Sequence, residues 1–140
     1  MLTRKPYVLP SLLLLLLLLP LLAGCQKIDE RRQADKLELT LRSYESVVRW
    51  GSLANAYGFR RPEDAARDEI PEDLDQVRVV SYLIQVAPVM LDEDTTAQTV
   101  EIGYIRQDQQ TVRKVLDRQT WVYDGEKRLW HLASQVPEFR

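Results

Sequence analysis

Lys36-Leu37-Glu38-Leu39-Thr40-Leu41-Arg42-Ser43-Tyr44-Glu45-Ser46-Val47-Val48-Arg49-Trp50-Gly51-Ser52-Leu53 decides one half of the fold, and Thr99-Val100-Glu101-Ile102-Gly103-Tyr104 decides the other. In the first stretch Leu37, Leu41, Tyr44 and Val48 return at the helical spacing, and Val47, Trp50 and Leu53 continue the stripe as it drifts. Glu38, Arg42, Glu45 and Arg49 fill the opposite face, so the pattern predicts a long amphipathic helix over residues 30–50. In the second stretch Val100, Ile102 and Tyr104 alternate with Thr99, Glu101 and Gly103, the period of a half-buried strand.

Working outward from the helix, Gly51 suits the position just past its end. Ser52 suits the N-cap of a second, short helix through Leu53, Ala54 and Tyr57, which Gly58 breaks. Pro62-Glu63-Asp64 reads as the first turn of a third helix, with proline where no amide partner is needed and acids at the positive end of the dipole. Pro71 limits that helix to about two turns.

Around the strand, period two begins after Asp75. Val77, Val79 and Leu83 are expected on one face of a long strand, Val80, Tyr82, Ile84 and Val86 on the other, with a bend or bulge near Pro88. Asp92-Glu93-Asp94-Thr95 turns the chain, residues 107–110 turn it again, and a third strand covers residues 111–123. Asp124-Gly125 is a hairpin signal, with a last strand over residues 128–136. Helices first and an antiparallel meander afterwards predict an α+β domain, with one long and two short N-terminal helices packed on a curved four-stranded antiparallel sheet.

Before this domain the composition shifts. Arg4 and Lys5 precede an apolar run over residues 8–22, rich in leucine from 12 to 19, and Leu22-Ala23-Gly24-Cys25 closes it. Those four residues resemble the lipobox of bacterial lipoproteins. Two alternatives stand beside it, an uncleaved membrane helix and a conventional secretory signal followed by a chance cysteine. Residues 8–23 fall short of the ~20 apolar residues a spanning helix needs, and Pro10 and Pro20 interrupt them. Cys25 is the sole cysteine of the 140 residues, so its thiol is not reserved for a disulfide.

The lipobox resemblance implies cleavage before Cys25, with Leu22, Ala23 and Gly24 recognised by the lipoprotein signal peptidase. It also implies a covalent diacylglycerol and an N-acyl lipid at Cys25. The lipid bilayer would then be the first partner, since burying acyl chains contributes ~0.8 kcal/mol per CH₂ and two chains make a stable anchor. Gln26, where inner-membrane retention commonly takes aspartate, resembles the outer-membrane class, facing the periplasm. The expected organisation is a removed signal (residues 1–24), a lipidated N-terminus and short polar tether (25–35) and one domain (36–140). That domain needs no disulfide, because the 116 residues after the cut are enough for one core.

Charge narrows the function classes. Two of the nineteen cations and none of the twenty-one acids precede Cys25, so the remainder carries a formal charge of −4, and no basic stripe suited to nucleic acid is present. Residues 63–75 hold seven acids against Arg67 alone. Such a run is read here as a solvated face, with a basic partner or divalent cations as the alternative.

Tyr44-Glu45-x-x-Val48-Arg49-Trp50-Gly51-Ser52-Leu53-x-x-Ala56-Tyr57 resembles the opening of nuclear-transport-factor-2-like domains. Asp117-Arg118-Gln119-Thr120-Trp121-Val122-Tyr123-Asp124-Gly125 with Leu129-Trp130-His131-Leu132 resembles their closing hairpin, so the likeness spans residues 36–139. It implies a cone in which a curved sheet wraps the long helix. In the family's enzymes that cone holds an Asp/His or Asp/Tyr set in an apolar pocket, and dimerisation through the sheet face is common.

No residue set here matches those catalytic motifs, so no catalytic residue is assigned. Asp117, His131, Tyr82 and Trp121 are the candidates for a cavity or its rim. His131, the one histidine, is otherwise a rim residue in a cross-strand pair. Asp117, near Arg113, Lys114 and Arg118, is otherwise expected in a solvated ion pair. Tyr82 and Trp121, with Tyr123 and Trp130, are core aromatics before they are a ligand groove.

Asp92-Glu93-Asp94 lacks the glycine and spacing of a calcium loop, so no metal or other cofactor is expected. There is neither a phosphate-binding glycine loop nor a Gly-x-Ser-x-Gly elbow, and Ser43, Ser46 and Ser81 have no activating partner in sequence. These readings converge on a membrane-anchored, non-catalytic binding or scaffolding module of the cell envelope, acting on an envelope protein. A small-molecule binder or enzyme using the cone cavity is the alternative, and a homodimer is compatible with both.

Overall fold

The computed structural model describes the backbone of residues 8–140 and the side chains of residues 27–140. Leu22, Ala23, Gly24, Cys25 and Gln26 lie outside the residues whose side chains are described. The chain forms two compact units, Met1–Asp35 and Lys36–Arg140. Helix α1 spans Val8–Trp50, beginning well before the residue 30 expected from the amphipathic pattern alone. Among the described residues no helix is long and apolar enough to cross a membrane.

Within the second unit α1 buries Leu37, Tyr44 and Val48, and packs Leu41 and Val47 beside them. Trp50 departs from the expected stripe: it is 76% exposed, with the Arg49 guanidinium 4.8 Å above its ring. Two positions beyond Val48 is about 200° around a helix, so Trp50 faces away from the core. Gly51 stands just past the helix end, as expected, without adopting a left-handed conformation. No glycine has positive φ; instead the Gly51 amide donates to Val47 O at 2.9 Å, and a Cβ there would lie 2.9 Å from the same oxygen.

The two short helices differ from expectation, the first in type and in running past Gly58, the second in being shorter. Leu53–Phe59 is a 3₁₀ helix that continues past Gly58, and Ser52 occupies its N-cap without a side-chain hydrogen bond. Helix α2, Pro62–Ala65, is a single turn that opens with the expected proline, and a further 3₁₀ turn, Leu74–Gln76, leads into the sheet.

Strands β1 (Val77–Met90), β2 (Thr95–Arg106), β3 (Arg113–Asp124) and β4 (Leu129–Leu132) form an open antiparallel sheet in sequence order, so the fold is α+β. Its inner face contributes Val100, Ile102, Tyr104, Trp121, Trp130 and Leu132 to the core cluster that also holds Leu37, Tyr44 and Val48. Tyr44, Phe59 and Trp121 meet edge to face, Tyr44 lying 5.3 Å from each of the others, the geometry ring quadrupoles favour.

β1 corrects the expected division of faces. Its pairing slips between Val79 and Ser81, and the extra residue reverses the alternation. Val77 and Val79 therefore share the inner face with Tyr82, while Leu83 and Val80 are exposed. Further slips at Ile84/Val86 and Val86/Val89 place a bulge at Pro88, as the proline suggests.

The last hairpin also differs from its sequence signal. Gly125 is not left-handed; Arg128 is, at φ 56°. Asp124 Oδ1 accepts from the amides of Glu126 and Lys127 at 3.0 and 2.9 Å, so the aspartate caps a four-residue loop and the glycine makes no two-residue turn. Lys36 Nζ donates to the Arg128 carbonyl at 2.8 Å, tying this loop to α1. β4 stops after four residues, because the carbonyls of Ala133 and Ser134 turn to the Arg60 guanidinium at 2.8 and 2.6 Å.

Candidate functional site

Alternation along β3 carries Asp117, Gln119 and Trp121 to the inner face, and β2 sets Gln98 opposite Gln119. Tyr82 arrives from β1 because of the bulge, and Tyr44 descends from α1. Asp117 is 2% exposed and Gln119 1%, so each polar atom needs a protein partner.

Gln119 is the hub. Its Nε2 donates to Asp117 Oδ2 at 2.7 Å and to Tyr82 Oη at 3.1 Å. Its Oε1 accepts from Gln98 Nε2 at 2.6 Å and from Trp121 Nε1 at 3.1 Å. The indole can only donate, which fixes the carboxamide oxygen toward Trp121 and the amide toward Asp117. All four hydrogen-bonding positions of that side chain are used. Tyr44 Oη adds a longer bond to Asp117 Oδ2, 3.3 Å.

The solvated ion pair expected for Asp117 is absent. Arg118 and Lys114 project from the opposite face, since neighbours along a strand alternate, and Lys114 pairs with Glu101 at 2.7 Å. Desolvation pushes the Asp117 carboxyl up to about 6, against the opposing donation from Gln119 and Tyr44. Burial likewise raises the Tyr44 and Tyr82 phenols, which stay neutral donors and acceptors at physiological pH.

Three of the four candidate residues are thus brought together: Tyr82, Asp117 and Trp121, all through Gln119. His131 is not. Trp121 pairs with Leu132 on the inner face and Val122 with His131, so the imidazole stands on the other side of the sheet from Asp117. Its Nε2 is buried without a hydrogen-bond partner among the described residues.

An open groove lies elsewhere. A groove of about 870 Å³ runs between residues 67–74, the start of β3 and residues 135–140. Tyr57, Ile70, Pro71 and Pro137 are among its apolar lining, and Arg67, Asp73, Arg106 and Arg113 are among its charged groups. None of the four candidate residues lines it. Arg106 orders one wall: it donates to Asp73 Oδ2 at 2.7 Å and to the Phe139 carbonyl at 3.1 Å, with Asp108 at 3.6 Å. The guanidinium holds the Asp73 carboxyl below its ordinary range. Tyr104 Oη donates to the Arg140 carbonyl at 2.6 Å, and its ring meets Phe139 edge to face.

The acidic stretch over residues 63–75 is not one solvated face. Asp68 turns inward to a bidentate pair with the buried Arg60, at 2.7 and 3.1 Å, and Asp73 turns to Arg106. Nothing local signals this, because the partners come from a separate turn and from β2. Gln98 and Gln119 were equally silent, since glutamines on a strand read as solvent-facing residues. Among the described residues no cluster of His, Cys, Asp and Glu is placed to hold a metal ion. No family model, curated protein or solved structure matches the chain.

Proposed function

We propose that this chain is a bacterial lipoprotein, acylated at Cys25 and held at the periplasmic face of a membrane, whose domain binds or scaffolds another envelope protein without catalysing a reaction. The domain is read as nuclear-transport-factor-2-like, on the helix-end and closing-hairpin motifs. The observation that carries the non-catalytic reading is the Gln119 hub. Where the family's enzymes keep an aspartate beside open space, here the aspartate, both glutamines and the indole bond one another among packed rings. That network leaves no hydrogen-bonding position of Gln119 for a substrate. The enzyme alternative required an opening beside Asp117 or His131, and the groove is lined by neither.

The groove is the binding face in this reading. Small-molecule pockets are mostly apolar and enclosing. This one is open and interleaves arginines with acids around Tyr57 and Ile70, which suits a polypeptide segment carrying both charges. Gln26 favours the outer membrane.

The anchor is tested by intact-mass measurement of the membrane-extracted chain. A chain beginning at Cys25 with the mass of a diacylglyceryl and an acyl group is expected, and a Cys25→Ala form should stay unprocessed. The binding face is tested by photo-crosslinkers at Gln109 and Gln135 in cells. One recurring envelope protein, lost on Ile70→Asp, is expected. A Cys25→Ala form processed like the parent would defeat the first half, and adducts indifferent to position the second.

A further inference from the structure

Helix α1 carries a second stripe, on the side turned away from the core. Leu39, Ser43, Ser46 and Trp50 are separated by four, three and four residues, which keeps them along one line of the helix, and all of them are exposed. Leu39 is 63% exposed and Trp50 76%, so two large apolar side chains stand in solvent with two serines between them. The Arg49 guanidinium above the Trp50 ring leaves most of its surface uncovered. Ser43 Oγ donates to the Leu39 carbonyl at 2.8 Å, so this hydroxyl keeps a partner where water is excluded.

One position earlier runs a row of the same spacing, Glu38, Arg42, Glu45 and Arg49, about 100° around the helix. Within the chain Glu38 pairs with Arg42, and Glu45 with Arg49. A four-three-four spacing reads the same from either end. Reversed, the charged row becomes Arg-Glu-Arg-Glu, so an antiparallel copy opposes unlike charges at every position. The apolar row, reversed, sets tryptophan against leucine at both ends and serine against serine in the middle, where small side chains let two backbones approach.

We infer that this face of α1 binds a second copy of the chain, antiparallel, about a two-fold axis midway between positions 44 and 45. Leu39 packs on Trp50 of the second copy and Trp50 on its Leu39, the isologous arrangement of a closed dimer. Glu38 meets Arg49 of the second copy, and Arg42 meets its Glu45. Other occupants fit less well. An anionic lipid surface selects an excess of cations, and this row has none. A foreign helix would have to bring the complement that the chain already carries. None of residues 36–50 lines the groove, so the pairing leaves that lining untouched. A contact of about four helical turns is small beside the ~800 Å² per partner of a stable interface, so the association should depend on concentration.

The test uses the full chain extracted into detergent, with benzoylphenylalanine in place of Leu39 and with heavy-isotope and unlabelled copies mixed. Irradiation should join residue 39 of one copy to residues 46–53 of another, read by mass spectrometry as adducts of mixed isotope that increase with concentration. Trp50→Ala, at an exposed position, should cut this adduct roughly tenfold and leave the circular dichroism unchanged. Glu38→Arg with Glu45→Arg makes the charged row wholly basic, and Arg42→Glu with Arg49→Glu makes it wholly acidic. Neither form alone should give the adduct, and an equimolar mixture should restore it between the two. Adducts confined to one copy, adducts from residue 39 to another part of the second copy, or adducts that survive in either charge variant alone would overturn the inference. No step of this test calls on the groove or on the anchor at Cys25, so its outcome stands apart from theirs.

Discussion

Two carboxylates in this domain sit in opposite circumstances, and the contrast separates what is sealed from what is open. Asp117 is enclosed beneath α1, served only by neutral donors, and its carboxyl is raised to about 6. Asp73 lies on the wall of the groove with a guanidinium beside it, and its carboxyl is lowered. Burial without a countercharge penalises the ionised form, and a cation at the surface rewards it. The first arrangement is a structural device bought with desolvation; the second leaves charge available to a partner.

The sealed side should give the largest effect. Gln119→Leu leaves Asp117, Tyr82, Gln98 and Trp121 each short of a partner in a dry environment, and should lower unfolding stability by about 3–5 kcal/mol in urea titration. A loss no larger than that of an ordinary surface substitution would mean that water reaches the network.

Asp117→Asn comes next and is read through pH. A carboxyl raised in the folded state binds its proton more tightly there than in the unfolded chain. Its contribution is therefore fully present below the ordinary value of 3.8 and is lost as pH rises through about 6. The parent should lose stability on the order of 3 kcal/mol across that window relative to the asparagine form. Parallel stability–pH curves for the two proteins would contradict the burial of a titrating group.

Tyr44→Phe keeps the edge-to-face rings and removes one donor to Asp117, so a loss of about 1 kcal/mol is expected. Because that donor opposes the shift, the pH window of Asp117 should also move upward.

The smallest effect belongs to the open side. Asp73→Asn should leave the denaturation midpoint at neutral pH almost unchanged, since exposed pairs contribute little. Its sign is opposite to that of Asp117: a lowered carboxyl contributes above its unfolded value and loses that contribution as pH falls through the lower folded value. Acid titration of the parent against this variant should diverge only at the acid end. A divergence near neutrality would mean that Asp73 is far more enclosed than the groove wall suggests.

Much of the architecture was legible beforehand, because it depends on periodicity. Leu37, Tyr44 and Val48 mark one side of a helix whatever lies opposite, and Val100, Ile102 and Tyr104 mark one side of a strand. Pro62 opens a helical turn for reasons within its own residue. Where the reading failed, a local rule met a non-local constraint. The slip between Val79 and Ser81 moved Leu83 to the surface, and Arg128 took the left-handed position that Asp-Gly led one to expect at glycine.

Of the candidate site, residue identities were visible and relationships were not. Asp117 stood out as a carboxylate among cations at positions 113, 114 and 118, and that proximity in sequence misled: Lys114 and Arg118 face the other way, and Arg113, on the same side, sits at the strand's start where it bonds Gln109.

The sequence by itself determined the order of helix and meander, the apolar stripe beneath α1, the inner alternation of β2 and the single cysteine at position 25. Only the tertiary structure decided that Asp117 is sealed, that His131 faces away from it and that the groove opens between the residue 67–74 loop and the chain's last segment. The physical reason is distance along the chain. Periodicity is set by neighbours a few residues apart, whereas the donor from Tyr44 reaches across 73 positions, and a carboxylate's environment exists only once such partners have met.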